Sequence, residues 1–227
     1  MIRNITRFIL AGLILYATWL MLLLSLPYTS FNPHQDFLLT KQLVYHLRIW
    51  RVSFYVHVFV SIIVLLTGLL QFSWYLLKKH PGVHRTAGKM YVFVVLLFSG
   101  PTGLVMGFYA NGGLPARISF VILATLWLVS TYLGWHYALK RNWQKHAAMM
   151  VRSYALTLSA LSLRFYAMLM GIFHVHLHPS TRYIVISWLS WTLNLLIAEA
   201  IIKWGFTRIT SSFPAMRPAS QNVHPFE

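Results

Sequence analysis

Six runs of about twenty or more mostly apolar residues, parted by short polar turns, leave this chain few folds to adopt. A helix rises about 1.5 Å per residue, so each run is long enough to cross about 30 Å of hydrocarbon. The runs lie near residues 6–26, 52–77, 90–110, 117–139, 148–172 and 183–204. Lipid offers no partner to a backbone amide, so such runs fold as helices. The expected fold is an all-α integral membrane protein: one six-transmembrane-helix bundle over residues 1–204, with a disordered cytoplasmic tail at 205–227. Arg3 and Arg7 precede the first run as in a signal peptide. Its apolar stretch is too long for an h-region and SLPYTS is a poor cleavage site, so a retained helix is expected.

Charge sets the orientation. The net charge is +16, which in a soluble protein would point to nucleic acid. Only 10% of the residues are charged, well under the roughly 25% of soluble domains, and the bases sit in short turns between apolar runs. They therefore serve topology and contact with the anionic headgroups of a lipid bilayer, and no nucleic-acid partner is expected. With the N-terminus inside, thirteen Lys and Arg fall on inner segments and five on outer ones, with Arg164 inside a span. That split puts both termini inside, in a multi-pass protein of the cytoplasmic membrane. The absence of cysteine excludes disulfides, thiolate catalysis, Cys-ligated zinc and iron–sulfur clusters.

Helical spacing gathers the polar residues into stripes. His57, Ser61, Gly68, Gln71 and Tyr75 fall within about 40° of one line on the second span. His146, Ser153, Thr157, Ala160 and Arg164 do the same on the fifth. Such stripes face protein or water, because lipid cannot pair them. His57 and Arg164 sit about 8 and 12 Å below the outer boundary, so they share a layer, to which Gln71 and Asn194 are added as polar neighbours. Ionisable groups at such depth are costly and usually functional. For Arg164 the expected partners are His57, Asn194, a carbonyl of the third span or a bound anion. Ser61, Ser153 and Thr157 read as interhelical glue.

A second polar layer gathers at the inner end: His84, Arg85, His136, His146, Arg152 and Glu199. Facing imidazoles can hold a b-type haem, whose propionates Arg85 and Arg152 would meet. His84 and His146 are the candidate metal ligands, with Glu199 as second-shell acceptor; Arg152, Arg85 and the inner histidines are the candidate partners of Glu199. Interfacial contact with lipid phosphate is an equally open reading. HVHLH at 174–178 is a weaker metal candidate in an outer loop. There is no HExxH, P-loop, Rossmann fingerprint or nucleophile elbow. Gly100-Pro101-Thr102-Gly103 should kink the third span, with Thr102 or a neighbouring helix covering the freed carbonyl. Asn-Gly-Gly at 111–113 reads as a turn, and Pro115 as a bar to continuous helix. Lys78-Lys79-x4-His84 recurs as Lys140-Arg141-x4-His146, 62 residues on, which either duplication or two unrelated basic turns would produce.

At GLLQF, HRTAGKMY, GPTG, NGG and KHAAMMVRSYALT with the downstream Arg164, the chain resembles a bacterial family of predicted membrane proteins, domain of unknown function 2306. The resemblance covers roughly residues 50–170; the family's usual HR before the fifth span is here His146-Ala147. It implies a topology and a set of positions but no activity. The layout is also similar to cytochrome b561-like proteins. His57 and His136 lie at opposite ends and cannot share an iron, so that similarity leaves only an inner haem on His84 with His136 or His146. The expected function is a haem-binding or quinone-linked redox membrane protein. The alternatives are a non-enzymatic carrier or sensor of an anionic or lipidic ligand, or an accessory subunit of a membrane complex.

Overall fold

The computed structural model describes residues 2–212. Its helices are α1 (Ile2–Ser25), α2 (Gln42–Tyr45), α3 (Arg48–Gln71), α4 (Trp74–Lys79), α5 (Pro81–Val94), α6 (Gly100–Phe108), α7 (Gly113–Leu139), α8 (Trp143–Thr157), α9 (Ser159–Ile172) and α10 (Pro179–Ser212). Six segments are long and apolar enough to cross a membrane: Phe8–Ser30, Arg48–Gln71, Pro81–Phe108, Gly113–Leu139, Trp143–Ile172 and Pro179–Gly205. This is the expected all-α, six-span architecture. Of the tail expected at 205–227, residues 213–227 lie outside the described residues.

Local chemistry moves several boundaries away from the hydropathy limits. The second span stops at Gln71, and Ser73 caps a separate short helix by accepting the Leu76 N–H. The third begins at Pro81, where a missing N–H costs nothing. The fourth begins at Gly113, after Gly112 turns the chain at φ 84°. Pro115 therefore sits in the first turn, where its lost donor has no partner to lose, and it does not bar the helix as expected. Asn142 caps the fifth span by accepting the Lys145 N–H.

The third and fifth spans are each interrupted midway. A π-turn at Val95–Ser99 joins α5 to α6, with the Gly100 N–H reaching back to the Val95 carbonyl. It lies just before Pro101, whose ring cannot sit under an ordinary i−4 carbonyl. Leu158 parts α8 from α9, and the Ser159 hydroxyl turns onto the Leu156 carbonyl at 2.6 Å. α5 and α8 start 62 residues apart, at Pro81 and Trp143, and break at Val95 and Leu158. The Tyr91 hydroxyl bonds that of Ser153 at 2.7 Å, across the same 62-residue separation.

Two clusters hold the bundle. The central one includes Val64, Tyr91, Val95, Trp127, Tyr154 and Leu156. Gly68 lets the rings of Tyr91 and Tyr154 lie directly on α3, and Gly134 admits Met150 between α7 and α8. Buried hydroxyls complete this core: Tyr91 also meets Thr157 at 2.8 Å, Thr131 meets Ser153 at 2.6 Å, and Tyr154 donates to the Leu65 carbonyl at 3.2 Å. The second cluster lies under a cap built from 3-10 turns at Leu26–Ser30 and Asp36–Lys41 together with α2. There Trp50 and Leu38 are fully buried, and Phe54 stacks on Trp50 and meets Tyr28 edge-on.

Candidate functional site

α8 ends at Thr157 and α9 resumes at Ser159. α8 packs on α7 and α10, whereas α9 packs on α10 and touches α1. In the half of the bundle nearer the cap, a cavity of about 520 Å³ lies between the spans. Its walls come from α1, α3, α6, α7, α8, α9 and α10, and the cap supplies Tyr28, Asp36, Phe37 and Lys41. The lining is largely apolar, with a few polar groups, as in sites for small molecules.

Arg164 brings a charge to this wall from α9, with Asp36 and Lys41 in the cap. Its side chain is exposed and lines the cavity. Its hydrogen bond among the described residues runs to the Ala160 carbonyl, one turn back, at 3.0 Å. No carboxylate pairs with it among the described residues, where the ion pair is Arg152–Glu199. Tyr28 and Tyr183 line the same cavity within electrostatic reach of the guanidinium. A planar cation with most of its donors uncommitted is suited to a carboxylate or phosphate.

His57 lines the cavity opposite the π-turn. Its Nδ1–H donates to the Ser99 carbonyl at 2.9 Å, and Gly103 leaves room for the ring, since a Cβ there would stand 3.0 Å from Cε1. Thr102 donates to the Phe98 carbonyl at 2.7 Å. Thr102 and the neighbouring helix thus cover the carbonyls around Pro101. With Nδ1 committed, the other ring nitrogen is an acceptor. Trp50 also lines the cavity, and its buried indole N–H has no partner among the described residues.

The sequence reading missed Lys41. It is 4% exposed, yet its ammonium meets the Tyr109 carbonyl at 2.5 Å, Asn111 Oδ1 at 2.6 Å and the face of Phe37 at 5.5 Å. Asn111 Nδ2 in turn donates to Thr40 at 3.0 Å. Burial, with Arg117 nearby, pulls the Lys41 pKa down to about 8. A lysine in a polar loop carries no sequence mark that separates a buried strap from a solvated charge. Tyr28, Trp50 and Tyr183 were likewise unmarked among many interfacial aromatics.

The remaining sequence candidates divide. Gln71 faces Gly88 and bonds the Thr67 carbonyl at the far end of α3, away from Arg164. Asn194 accepts from Ser162 at 3.0 Å and donates to the Ala155 carbonyl at 3.1 Å, and it does not line the cavity. At the basic end, Glu199 is held in two bonds by Arg152, Nε–Oε1 at 2.5 Å and Nη2–Oε2 at 2.7 Å. The expected convergence of Glu199 on the histidines therefore does not form: a carboxylate in this setting goes to the guanidinium that matches its geometry. His146 places Nδ1 on the Gly134 carbonyl at 2.8 Å. His84 lies within electrostatic reach of it, with its own Nδ1 buried and unpartnered among the described residues. His136 stacks on Tyr132, and Arg85 reaches back to the Pro81 carbonyl. No three His, Asp or Glu gather as a metal site among the described residues, the 174–178 loop included.

Residues 54–202 match a family described as predicted membrane proteins, DUF2306. The chain belongs to that family. No curated protein and no solved structure matches it. The matched range takes in His57, Arg164 and the basic-end histidines, and leaves out α1, the cap, Lys41 and Trp50. The DUF2306-like motif HR-x2-G-x2-Y spans His84 to Tyr91, and H-x5-R-S-Y spans His146 to Tyr154. Their tyrosines, Gly88, Arg152 and Ser153 all pack or bond between spans, so much of this DUF2306 signature holds the bundle together.

Proposed function

We propose that the protein is a carrier or sensor that holds an anionic, membrane-soluble ligand in the cavity beneath the cap. The observation that carries this reading is Arg164: a guanidinium that lines the cavity, with no carboxylate on it among the described residues. A charge at that depth costs about 2.5–3.5 kcal/mol on insertion scales, so a compensating group is needed. The chain supplies an internal comparison. Thr102 lies 62 residues before Arg164, at the same place in the other broken span, and it serves its helix by bonding local carbonyls. The scaffold thus does not demand arginine at this point. The test is the set of small molecules that co-purify with wild type and with Arg164→Gln, read by mass spectrometry. Loss of charge-assisted hydrogen bonds should weaken retention of an anionic species by about tenfold or more. Equal retention by both proteins sinks the reading.

A second reading is redox, through a haem b or quinone at the basic end. What favours it is His146: fixing Nδ1 on the Gly134 carbonyl leaves the other ring nitrogen as a ligand, beside His84. A reduced-minus-oxidised Soret change in the purified protein, lost in His84→Ala and in His146→Ala, supports it. A featureless spectrum after expression with added haem removes the haem form of it.

A further inference from the structure

We infer that the ligand is a chain-bearing anionic amphiphile that reaches the cavity sideways from the bilayer, through the seam between α1 and α9. This rests on the reading of the cavity as a ligand site. The observations concern which walls are closed. Above, the Lys41 strap ties the cap to the turn between α6 and α7, and Leu38, Trp50 and Phe54 plug the space beneath it. Below, Val64, Tyr91, Tyr154 and Leu156 fill the middle of the bundle, with their hydroxyls bonded to one another or to backbone. On the side, α1 packs mainly on α3 and α9 mainly on α10, so the seam where they meet is the weakest in the ring. Met21, Leu24 and Ser25 line the cavity from α1, and Ala160, Leu163 and Arg164 line it from α9. Leu24 belongs to the cavity wall and is 57% exposed.

That arrangement selects a class of ligand. A free inorganic anion would have to cross either the strapped cap or hydrocarbon to reach Arg164. A single-chain carboxylate or phosphate dissolved in the leaflet crosses neither. Its head passes between the small side chains Ser25 and Ala160 to the guanidinium, while its chain stays against the apolar rim at Leu24 and Leu163. The free ring nitrogen of His57, which lines the cavity, is then an acceptor available to the head group.

The chain has no cysteine, so a paired substitution gives one defined cross-link. Leu24→Cys/Leu163→Cys, reconstituted in phosphatidylcholine vesicles, is bridged with a cleavable bis-maleimide. Thr40→Cys/Asn111→Cys, bridged likewise, pins the cap instead. The probe is cis-parinaric acid, a fluorescent fatty acid, with inorganic phosphate as the water-borne arm. Closing the α1–α9 seam should slow parinaric acid binding about tenfold or more, as for association gated by a conformational step, and cleavage of the linker should restore it. The cap cross-link should leave the rate unchanged. If the probe binds wild type at the same rate with the seam bridged, sideways access is wrong while the ligand site stands. If inorganic phosphate binds in an Arg164-dependent way and parinaric acid does not, the amphiphile is wrong. If neither binds, the reading of the cavity as an anion site fails, and this inference with it.

Discussion

Tyr91 and Ser153 bond at 2.7 Å across the middle of the bundle, from spans that start 62 residues apart and are each broken midway. The Ser153 hydroxyl also meets Thr131, and the Tyr91 hydroxyl also meets Thr157, so one hydroxyl network ties three spans. Tyr91→Phe removes one member and leaves buried hydroxyls short of a partner. The expected loss is about 1–3 kcal/mol, read as a lowered Tm in detergent. An unchanged Tm would mean that water or rotation repairs the network.

Gly68 is a stricter test of the same core. A Cβ there would overlap the ring of Tyr154 and stand 2.9 Å from that of Tyr91. Gly68→Ala favours the helix intrinsically, so an unpacked site would be stabilised by it. Here overpacking should win, at about 1–3 kcal/mol of destabilisation. The double variant Gly68→Ala/Tyr154→Leu should recover part of that loss.

Arg152 and Glu199 have side chains that are 26% and 47% exposed, so their bidentate pair is worth little despite its geometry. A double-mutant cycle with Arg152→Gln and Glu199→Gln should give a coupling of about 0.2–1 kcal/mol that shrinks with added salt. A coupling of several kcal/mol would mean that the pair is buried in the working protein.

Orientation rests on the thirteen-to-five split of bases. Reporter fusions after Leu77 and Leu139 should read cytoplasmic, and a fusion after Asn111 should read external. The opposite pattern would put the Arg164 cavity in the inner leaflet.

Much of this could be read from residues alone, for reasons that differ by residue. Apolar runs of fixed length dictate spans, since lipid leaves the backbone no other choice. Depth arithmetic placed His57 and Arg164 in one layer, and the two do line one cavity. It also named Arg152 among the candidate partners of Glu199. The cavity itself was not legible. It lies beside the break at Leu158, in the run Leu158-Ser159-Ala160-Leu161, where neither proline nor glycine announces an interruption. Span ends were misread where caps rather than hydropathy decide them. Pro81 and Asn142 start helices in polar sequence, and Gly112 starts one before Pro115. Lys41 was missed because what buries it, the Asn111 turn some 70 residues on, is remote in sequence.

The last prediction uses Lys41, which lies in the cap outside the spans. Burial depresses its folded pKa to about 8, against 10.5 when exposed. Between those values the unfolded chain binds the extra proton and the folded one does not. Stability therefore rises with pH across that window. Below about pH 8 the protein carries the full cost of a buried ammonium; by pH 10.5 that cost is gone. Other groups titrate here too, tyrosines above all, so the quantity to follow is the Tm of wild type minus that of Lys41→Met. That difference should climb from pH 8 to pH 10.5 and be flat from pH 6 to about 7, where Lys41 is charged in both states. A difference that falls as pH rises would mean that the bonds to Tyr109 and Asn111 outweigh burial. Lys41 would then be a net clamp on the cap when protonated.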